Sequence, residues 1–432
     1  MSGVFEYLKP QNQLQRAIYI FHEALRAPFY KHKFTGRAVP DSWPQWQKLP
    51  ILTRQELYDN TYPRSRDMLT RPLQGMIVTA TGGTTGVARY SLYSYEEWEV
   101  FCEMQARAFS LLNIGPTDRV ANLFVAGHLW PSFLGSHEAL KRIGAVHLPI
   151  SANIDPAEIA RLCQEFDPTV MISLPTLFVL LADLARRDGY KFPSLRLLGY
   201  AGEHMSSSAQ AYVKQALGVH EIRPLSYTSS DCGLMGYPCE ACGPGEYHLP
   251  TAFQLMEIID PDTTQVLPPG NKGEVLITSL VRTTMPIIRY RLGDMAVFLE
   301  GQCPCGDPNP RFRLLGRAGQ DFKLGGAYIT MGQLERAISR FAELSLNFTL
   351  EIEDVGNQVV LRLLIEAPEP HQAQKVDSQL RKALNECVPE FAVGLEKNYI
   401  KEIEIRYLCI GELPRNPHTG KVIRLRELRV PH

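Results

Sequence analysis

Thr79-Ala80-Thr81-Gly82-Gly83-Thr84-Thr85-Gly86-Val87-Ala88-Arg89 is a turn rich in glycine and threonine, and the apolar run Gly75-Met76-Ile77-Val78 leads into it. Glycines let a backbone bend tightly and approach an anion closely. Successive N–H groups and threonine hydroxyls at such a turn can surround phosphate oxygens. Arg89 would add a fixed positive charge. The Walker pattern is excluded, because no Gly-Lys-Ser/Thr follows. Alone, the turn reads equally as an ordinary loop, since glycine is abundant in turns.

Working outward, four later segments change that weighting. Tyr227-Thr228-Ser229-Ser230-Asp231 offers an aromatic face, hydroxyls and a carboxylate within a few residues. Arg289-Tyr290-Arg291-Leu292-Gly293-Asp294 ends in a carboxylate after an apolar stretch. Gly316-Arg317-Ala318-Gly319-Gln320-Asp321-Phe322-Lys323 is a charged, glycine-punctuated connector. Pro414-Arg415-Asn416-Pro417-His418-Thr419-Gly420-Lys421-Val422-Ile423-Arg424 sits near the C-terminus. In this order and spacing, the five segments resemble the core motifs of the adenylate-forming superfamily: acyl-CoA synthetases, peptide-synthetase adenylation domains and luciferases. The resemblance covers most of the chain, from about Gly75 to Arg424. It is strongest to the short phenylacetate-CoA ligase branch. The segment from Asn122 to Leu134 is similar to a subset of that branch tied to phenazine-type aromatic acids.

Composition sets outer bounds. The chain has 432 residues, 45% hydrophobic and 21% charged, enough for a large folded core in two or three domains. With 45 basic and 46 acidic residues, bulk electrostatics give no reason to expect nucleic-acid or membrane binding. Met1 to Pro10 holds no apolar signal-peptide region, and no run is long enough to span a bilayer. Nine scattered cysteines argue against a disulfide framework and for a reducing cytoplasm.

The pattern predicts an α/β fold. Strands are expected at Met76–Ala80, Arg119–Phe124, Ala145–Ile150, Val170–Ser173 and Leu195–Ala201. Helices are expected at Tyr95–Leu112, Phe133–Ile143, Pro156–Glu165 and Leu177–Asp188. Their alternation argues for parallel βαβ units. Thr53 should cap a helix, with Glu56 as its capping-box partner. From about 245 the texture turns to strands and turns. Beyond 316 a mixed pattern, with strands near 346–353, 358–365 and 400–408 and a helix from His371 to Cys387, reads as a small α+β domain. The expected organisation is a large α/β N-terminal domain over 1–316, with mixed or parallel sheets and a β-rich, cysteine-containing subdomain at about 235–316. A mobile α+β lid follows over 317–432.

The resemblance implies a role for each motif. Thr81, Gly82, Gly83, Thr84, Thr85 and Gly86, with Arg89, would grip the pyrophosphate end of ATP; many relatives carry Lys where Arg89 stands. Tyr227 would stack on adenine, though a core tyrosine looks the same in isolation. Ser230 takes the place of a family Thr, and Asp231 that of a family Glu that holds magnesium. Asp294 would clamp the ribose hydroxyls, and Arg317 would lie near the ribose and α-phosphate. Gly202 and Glu203 form a Gly-Glu turn at the nucleotide site. Gly319 occupies the hinge, where glycine absorbs large backbone changes readily. Lys421 matches the lysine that reaches the carboxylate and α-phosphate in the adenylation pose only. Gly127, His128, Trp130, Phe133, Tyr200 and Ala201, with His137 nearby, would line an acyl pocket suited to a small aromatic carboxylic acid; plain core packing remains open for the rings.

A separate constellation is cysteine-rich. Cys239-Glu240-Ala241-Cys242 and Cys303-Pro304-Cys305-Gly306 bracket the β-rich segment, with His248 close behind the first pair. Four thiolates, or three with His248, could hold a structural zinc, as in some phenylacetate-ligase relatives; buried free thiols are the alternative. The activity implied is an ATP-dependent acid–thiol ligase that forms an acyl-adenylate, releases pyrophosphate and passes the acyl group to coenzyme A. The rivals are transfer to a carrier or reductase protein thiol, and a nucleotide-binding regulatory module without turnover.

Overall fold

The computed structural model describes residues 13–81, 88–317, 322–324, 327–355, 358–416 and 421–428, with the backbone alone at 317, 322–324, 327 and 328. The chain divides into two units. The first comprises Met1–Thr117, Ala126–His147 and Pro224–Ala318; the second comprises Asp118–Val125, Leu148–Arg223 and Gly319–His432.

In the first unit the helix Gln13–Ala24 buries Ala17, Ile20, Phe21 and Ala24. Their i, i+3, i+4, i+7 spacing forms one apolar stripe. They share a core with Val275, Ile277, Tyr290 and Phe312 of a five-stranded sheet. That sheet is antiparallel, in the order Glu246–His248, Arg311–Arg317, Tyr290–Phe298, Gly273–Ser279, Gln254–Ile259. The change of texture near 245 marks it in the sequence. Thr53 caps the helix Arg54–Asn60 through the expected capping box with Glu56.

One expectation is corrected here. Met76–Ala80 is a strand, but it does not join a parallel sheet. It pairs antiparallel with Tyr90–Ser94, with Thr79 opposite Ser91 and Ala80 opposite Tyr90. A connection of nine residues cannot hold a parallel crossover, which needs a dozen or more. The glycine-rich segment is therefore a hairpin connection. Ser94 then caps the helix Tyr95–Ser110 through a capping box with Glu97. The helix Pro131–Ile143 lies close against it: a Cβ on Gly135 would stand 2.9 Å from Phe101 and from Gln105, so only glycine allows this approach.

The second unit carries the parallel βαβ pattern. Its sheet has the order Arg119–Asn122, Val170–Ser173, Leu197–Tyr200, Glu221–Pro224. The central pairs are parallel. Helices Pro156–Phe166, Pro175–Asp188 and Ser207–Leu217 connect its strands. A four-stranded mixed sheet, in the order Ile400–Leu408, Gln358–Glu366, Phe348–Val355, Leu425–Glu427, belongs to the same unit. The single helix expected from His371 to Cys387 is instead three pieces: Pro370–Ala373, a 3₁₀ turn Gln374–Val376, and Asp377–Cys387.

One apolar core runs through this unit, including Phe178 and Leu181 with Leu344, Phe348 and Phe391. Polar bonds tie the same segments together. Asp183, on the Pro175–Asp188 helix, is fully buried and accepts from Tyr212 and from Ser345 Oγ at 2.7 Å. Arg186 of that helix donates to the Ala342 carbonyl at 2.8 Å.

Candidate active site

Three motifs meet at one carboxylate in the first unit. Thr81 and Arg89 close the glycine hairpin: Thr81 N donates to Arg89 O at 2.9 Å, and Arg89 N to Thr81 Oγ1 at 3.1 Å. The Arg89 guanidinium then reaches Asp231 Oδ2 at 3.1 Å. Ser91 Oγ donates to Asp231 Oδ1 at 3.1 Å, and Tyr290 OH donates to Oδ2 at 3.2 Å. Asp231 is 1% exposed. Burial works against the charge on Arg89, but Asp231 and then Tyr290 outweigh it and raise the guanidinium further. Burial, and then the Asp231 charge, push the Tyr290 hydroxyl well above its ordinary range. The sequence assigned Asp231 to magnesium; in the structure both oxygens are already engaged and shielded. Gly82, Gly83, Thr84, Thr85 and Gly86 lie outside the described residues.

Ser230 Oγ donates to Ala80 O at 2.8 Å, and Tyr93 OH donates to Ser230 O at 2.8 Å. Arg282, itself 1% exposed, donates to the carbonyls of Asp231 and Leu92 and lies 3.9 Å over the Tyr93 ring. The Tyr227-to-Asp231 segment is thus tied to both hairpin strands. Tyr227 packs against Tyr247 and Phe312, and its hydroxyl donates to Asp294 Oδ2 at 2.6 Å. The adenine-stacking and ribose-clamping candidates are direct partners. Arg317 pairs with Asp294 through its backbone; its side chain lies outside what is described, as does Gly319.

Of the acyl-pocket candidates, Gly127, His128, Trp130 and Phe133 belong to the first unit. The backbone is left-handed at three consecutive positions, Gly127 (φ 93°), His128 (φ 52°) and Leu129 (φ 62°). Outside glycine this conformation is strained and is found mainly at functional sites. The Leu129 carbonyl accepts from Ala80 N at 2.8 Å, which seats the segment at the end of the Met76–Ala80 strand. The His128 and Trp130 rings are 5.3 Å apart. Phe133 faces His147, whose Nδ1 lies 3.1 Å from that of the exposed His137. Burial, and then His137, lower His147 to about 4.

The remaining candidates gather in the second unit, at the carboxyl ends of parallel strands, where α/β sheets bind ligands. Tyr200 ends the strand Leu197–Tyr200, and burial pushes its hydroxyl up to about 12. Ala201 N bonds to Ser173 O. Gly202 has φ +80°, and a Cβ there would meet Leu174 at 3.0 Å and Lys421 Nζ at 3.5 Å. Lys421 Nζ donates to the Gly202 carbonyl at 2.6 Å. Glu203 accepts from Thr176 N at 3.2 Å and Thr176 Oγ1 at 2.6 Å, in the first turn of the Pro175–Asp188 helix. A carboxylate is favoured there by the helix dipole.

The cysteine cluster, in the first unit, brings together one of the two ligand sets that the sequence allows. Ligand atoms of Cys239, His248, Cys303 and Cys305 all lie within 4.8 Å of one another. Cys239 and Cys303 sulfurs are 3.6 Å apart, and Cys305 Sγ is 3.4 Å from His248 Nε2. Metal–sulfur bonds of about 2.3 Å in a tetrahedron place sulfurs roughly 3.7 Å apart, so this set fits zinc. Cys242 lies 3.5 Å from Cys239 but outside the four. A supporting shell was not foreseen: His248 Nδ1 sits 2.9 Å from the Asn309 carbonyl, and Tyr237 stacks on the His248 ring. Tyr237 OH in turn donates to Asp307 at 2.6 Å. Burial alone would raise the Cys303 thiol; hydrogen bonds from the Cys305 backbone, Cys305, Cys239 and His248 outweigh it and hold it at about 7.

Sequence reasoning missed Ser91, Tyr290, Arg282 and the Asp307–Asn309 shell. Tyr290 was within a quoted motif, and only its hydroxyl's partner was hidden. No helix among the described residues is long and apolar enough to cross a membrane.

The family model for the AMP-binding enzyme matches residues 154–283. A phenylacetate-coenzyme A ligase of Escherichia coli (strain K12) is 25% identical over 425 residues, covering 94% of this chain and 92% of its own. A solved 2-hydroxyisobutyryl-CoA ligase, in its postadenylation state with 2-HIB-AMP, aligns with TM-score 0.79 at 18% identity, over 96% of this chain and 89% of that one. The same ligase with 2-HIB-AMP and CoA in the thioesterification state aligns with TM-score 0.64 at 20% identity, over 96% and 88%.

Proposed function

We propose that the chain, similar over most of its length to a phenylacetate-coenzyme A ligase and matching the AMP-binding enzyme family over residues 154–283, is an AMP-forming acid–thiol ligase of the adenylate-forming superfamily, in its phenylacetate-CoA ligase-like branch. A carboxylate oxygen attacks the α-phosphorus of ATP in line, the acyl-adenylate forms and pyrophosphate leaves. A thiolate then attacks the acyl carbon and AMP leaves. Such chemistry is mainly positioning and charge stabilisation.

The observation that carries this reading is Lys421. Its ammonium donates to the Gly202 carbonyl at the carboxyl end of the parallel sheet, beside the Gly-Glu turn. We assign it the developing charge at the α-phosphate during adenylation. Asp294, oriented by Tyr227, takes the ribose hydroxyls. Arg89 supplies charge at the pyrophosphate end, Arg317 stands near the α-phosphate, and Gly319 is the pivot between the two half-reactions. The domain carrying that swing is 317–432.

The acid is aromatic in this reading, supported by the ring pair His128–Trp130 and by Phe133. The acceptor is coenzyme A, as the names of the relatives suggest. Zinc, when bound by Cys239, His248, Cys303 and Cys305, would act as a structural crosslink; all four protein ligands are used and no catalytic partner adjoins them. Nine cysteines, none of them in a disulfide, support a cytoplasmic setting.

The test is acid-dependent ATP–pyrophosphate exchange across a panel of aromatic acids, followed by product analysis with and without coenzyme A. Exchange with at least one acid and a coenzyme A-dependent thioester are expected. ATP binding without exchange for any acid would return the protein to a regulatory module. Exchange with no coenzyme A product, but acyl transfer to an added carrier or reductase, would replace the acceptor.

A further inference from the structure

We infer that Asp231 serves in this protein as the counter-ion that positions Arg89, and not as a ligand of a metal ion. The inference deepens the ligase reading, since it concerns the cation at the pyrophosphate end of the nucleotide.

The family resemblance implies magnesium at this carboxylate, and the donor set does not fit it. Magnesium demands near-octahedral oxygen at about 2.0–2.1 Å and keeps several of its waters. Asp231 is 1% exposed, so those waters would have to displace its present partners. Its Oδ1 accepts from Ser91, and its Oδ2 accepts from both Arg89 and Tyr290. The side chain of Arg89, 18% exposed, is the more accessible member of the pair. A dication at Asp231 would have to break these bonds and stand against the Arg89 guanidinium. Arg89 is held at its backbone by both bonds to Thr81.

The main chain that carries the carboxylate is also held. The Asp231 carbonyl accepts from buried Arg282, which also grips Leu92 in the hairpin. The preceding residue is fixed twice, by Ser230 Oγ on Ala80 O and by Tyr93 OH on Ser230 O.

The two departures from the family pattern are complementary. Asp231 is one methylene shorter than the glutamate of relatives, and Arg89 is a planar fork where many have lysine. Arginine suits directional pairing with a carboxylate; lysine is a more flexible point charge. Together they convert a carboxylate that would recruit a cation into one that holds a resident cation beside the hairpin end at Thr81. The charge facing the nucleotide is then fixed before ATP arrives, so less reorganisation is needed.

A double-mutant cycle on the full-length protein tests this, with Asp231→Asn, Arg89→Met and the double variant. ATP affinity is measured by calorimetry at saturating magnesium. Each single change is expected to weaken ATP at least tenfold, and the double variant to be no weaker than Arg89→Met alone, because the residues act as a unit. Losses that multiply in the double variant overturn the proposal. The manganese concentration needed for half-maximal ATP binding should be unchanged in Asp231→Asn; a tenfold increase there, absent in Arg89→Met, would assign the metal to Asp231. Asp231→Glu restores the residue of relatives, and it should weaken ATP because the added methylene displaces Arg89 from a closed site; equal or tighter binding counts against the pairing. A thermal-melting cycle on the same variants needs no nucleotide. Asp231→Asn should lower the melting temperature less in the Arg89→Met background than in wild type, and additive shifts would sink the pairing. If wild type binds no ATP, the ligase reading falls by itself, and the melting cycle alone decides the pair.

Discussion

Replacing Asp183 by Asn should remove a loss of stability that the wild-type protein suffers as pH rises. Burial pushes the Asp183 carboxyl up from 3.8 to about 7; bonds from Tyr212 and Ser345 and the charge of Arg186 oppose the shift, and the charge of Glu366 adds to it. Below pH 3.8 the group is protonated both folded and unfolded and costs nothing. As pH rises from there, the unfolded chain releases its proton first, so stability falls, and the fall is complete once pH passes about 7. A rise from 3.8 to about 7 corresponds to about 4 kcal/mol as an upper bound, at 1.36 kcal/mol for each unit. Asparagine can accept from one hydroxyl and donate to the other but cannot ionise. Urea unfolding of both proteins at pH 4, 5.5, 7 and 8.5 reads the effect, and the difference between the two curves cancels the groups they share. The variant should gain steadily on wild type over that range and hold its advantage above pH 7. Parallel curves, or a wild type that gains on the variant with rising pH, would refute the reasoning. Since Asp183 bonds Ser345, the same variant reports on what holds the 339–347 segment to the Pro175–Asp188 helix.

Three further outcomes are expected. Lys421→Ala should abolish acid-dependent pyrophosphate exchange while added synthetic adenylate is still converted to thioester; equal loss of both steps would remove its pose-specific role. Asp294→Ala should lower kcat/KM for ATP by roughly 10- to 150-fold, the worth of a charged acceptor of about 1.5–3 kcal/mol, and an unchanged ATP dependence would take Asp294 out of the site. Metal analysis after reducing, chelator-free purification should find one zinc per chain, lost together with melting temperature in Cys303→Ser and Cys305→Ser but retained in Cys242→Ser. Loss of metal in the Cys242 variant would move the fourth ligand from His248 to that thiol.

The sequence by itself determined what local chemistry can encode. Val170–Ser173 is a strand as the apolar run dictates. The helix expected at Leu177–Asp188 follows from side-chain period, and it begins two residues earlier, at Pro175. The Thr53 cap needs only Glu56 three residues on. The five motifs were legible as residue types in a recurring order, and that order alone carries the resemblance to the adenylate-forming superfamily. Tertiary structure decided whatever depends on partners distant in sequence. Met76–Ala80 has the composition of a parallel strand, and only its pairing with Tyr90–Ser94 makes it a hairpin arm. The cysteine spacing allowed two ligand sets; the register of Glu246–His248 against Arg311–Arg317 brings His248 to the Cys303–Cys305 turn. Asp231 reads as a metal carboxylate beside its neighbours in the chain. Its engagement by Arg89, 142 positions earlier, and by Tyr290, 59 later, is set by folding. Which cation stands beside a carboxylate depends on what the fold brings to it, and sequence spacing does not record that.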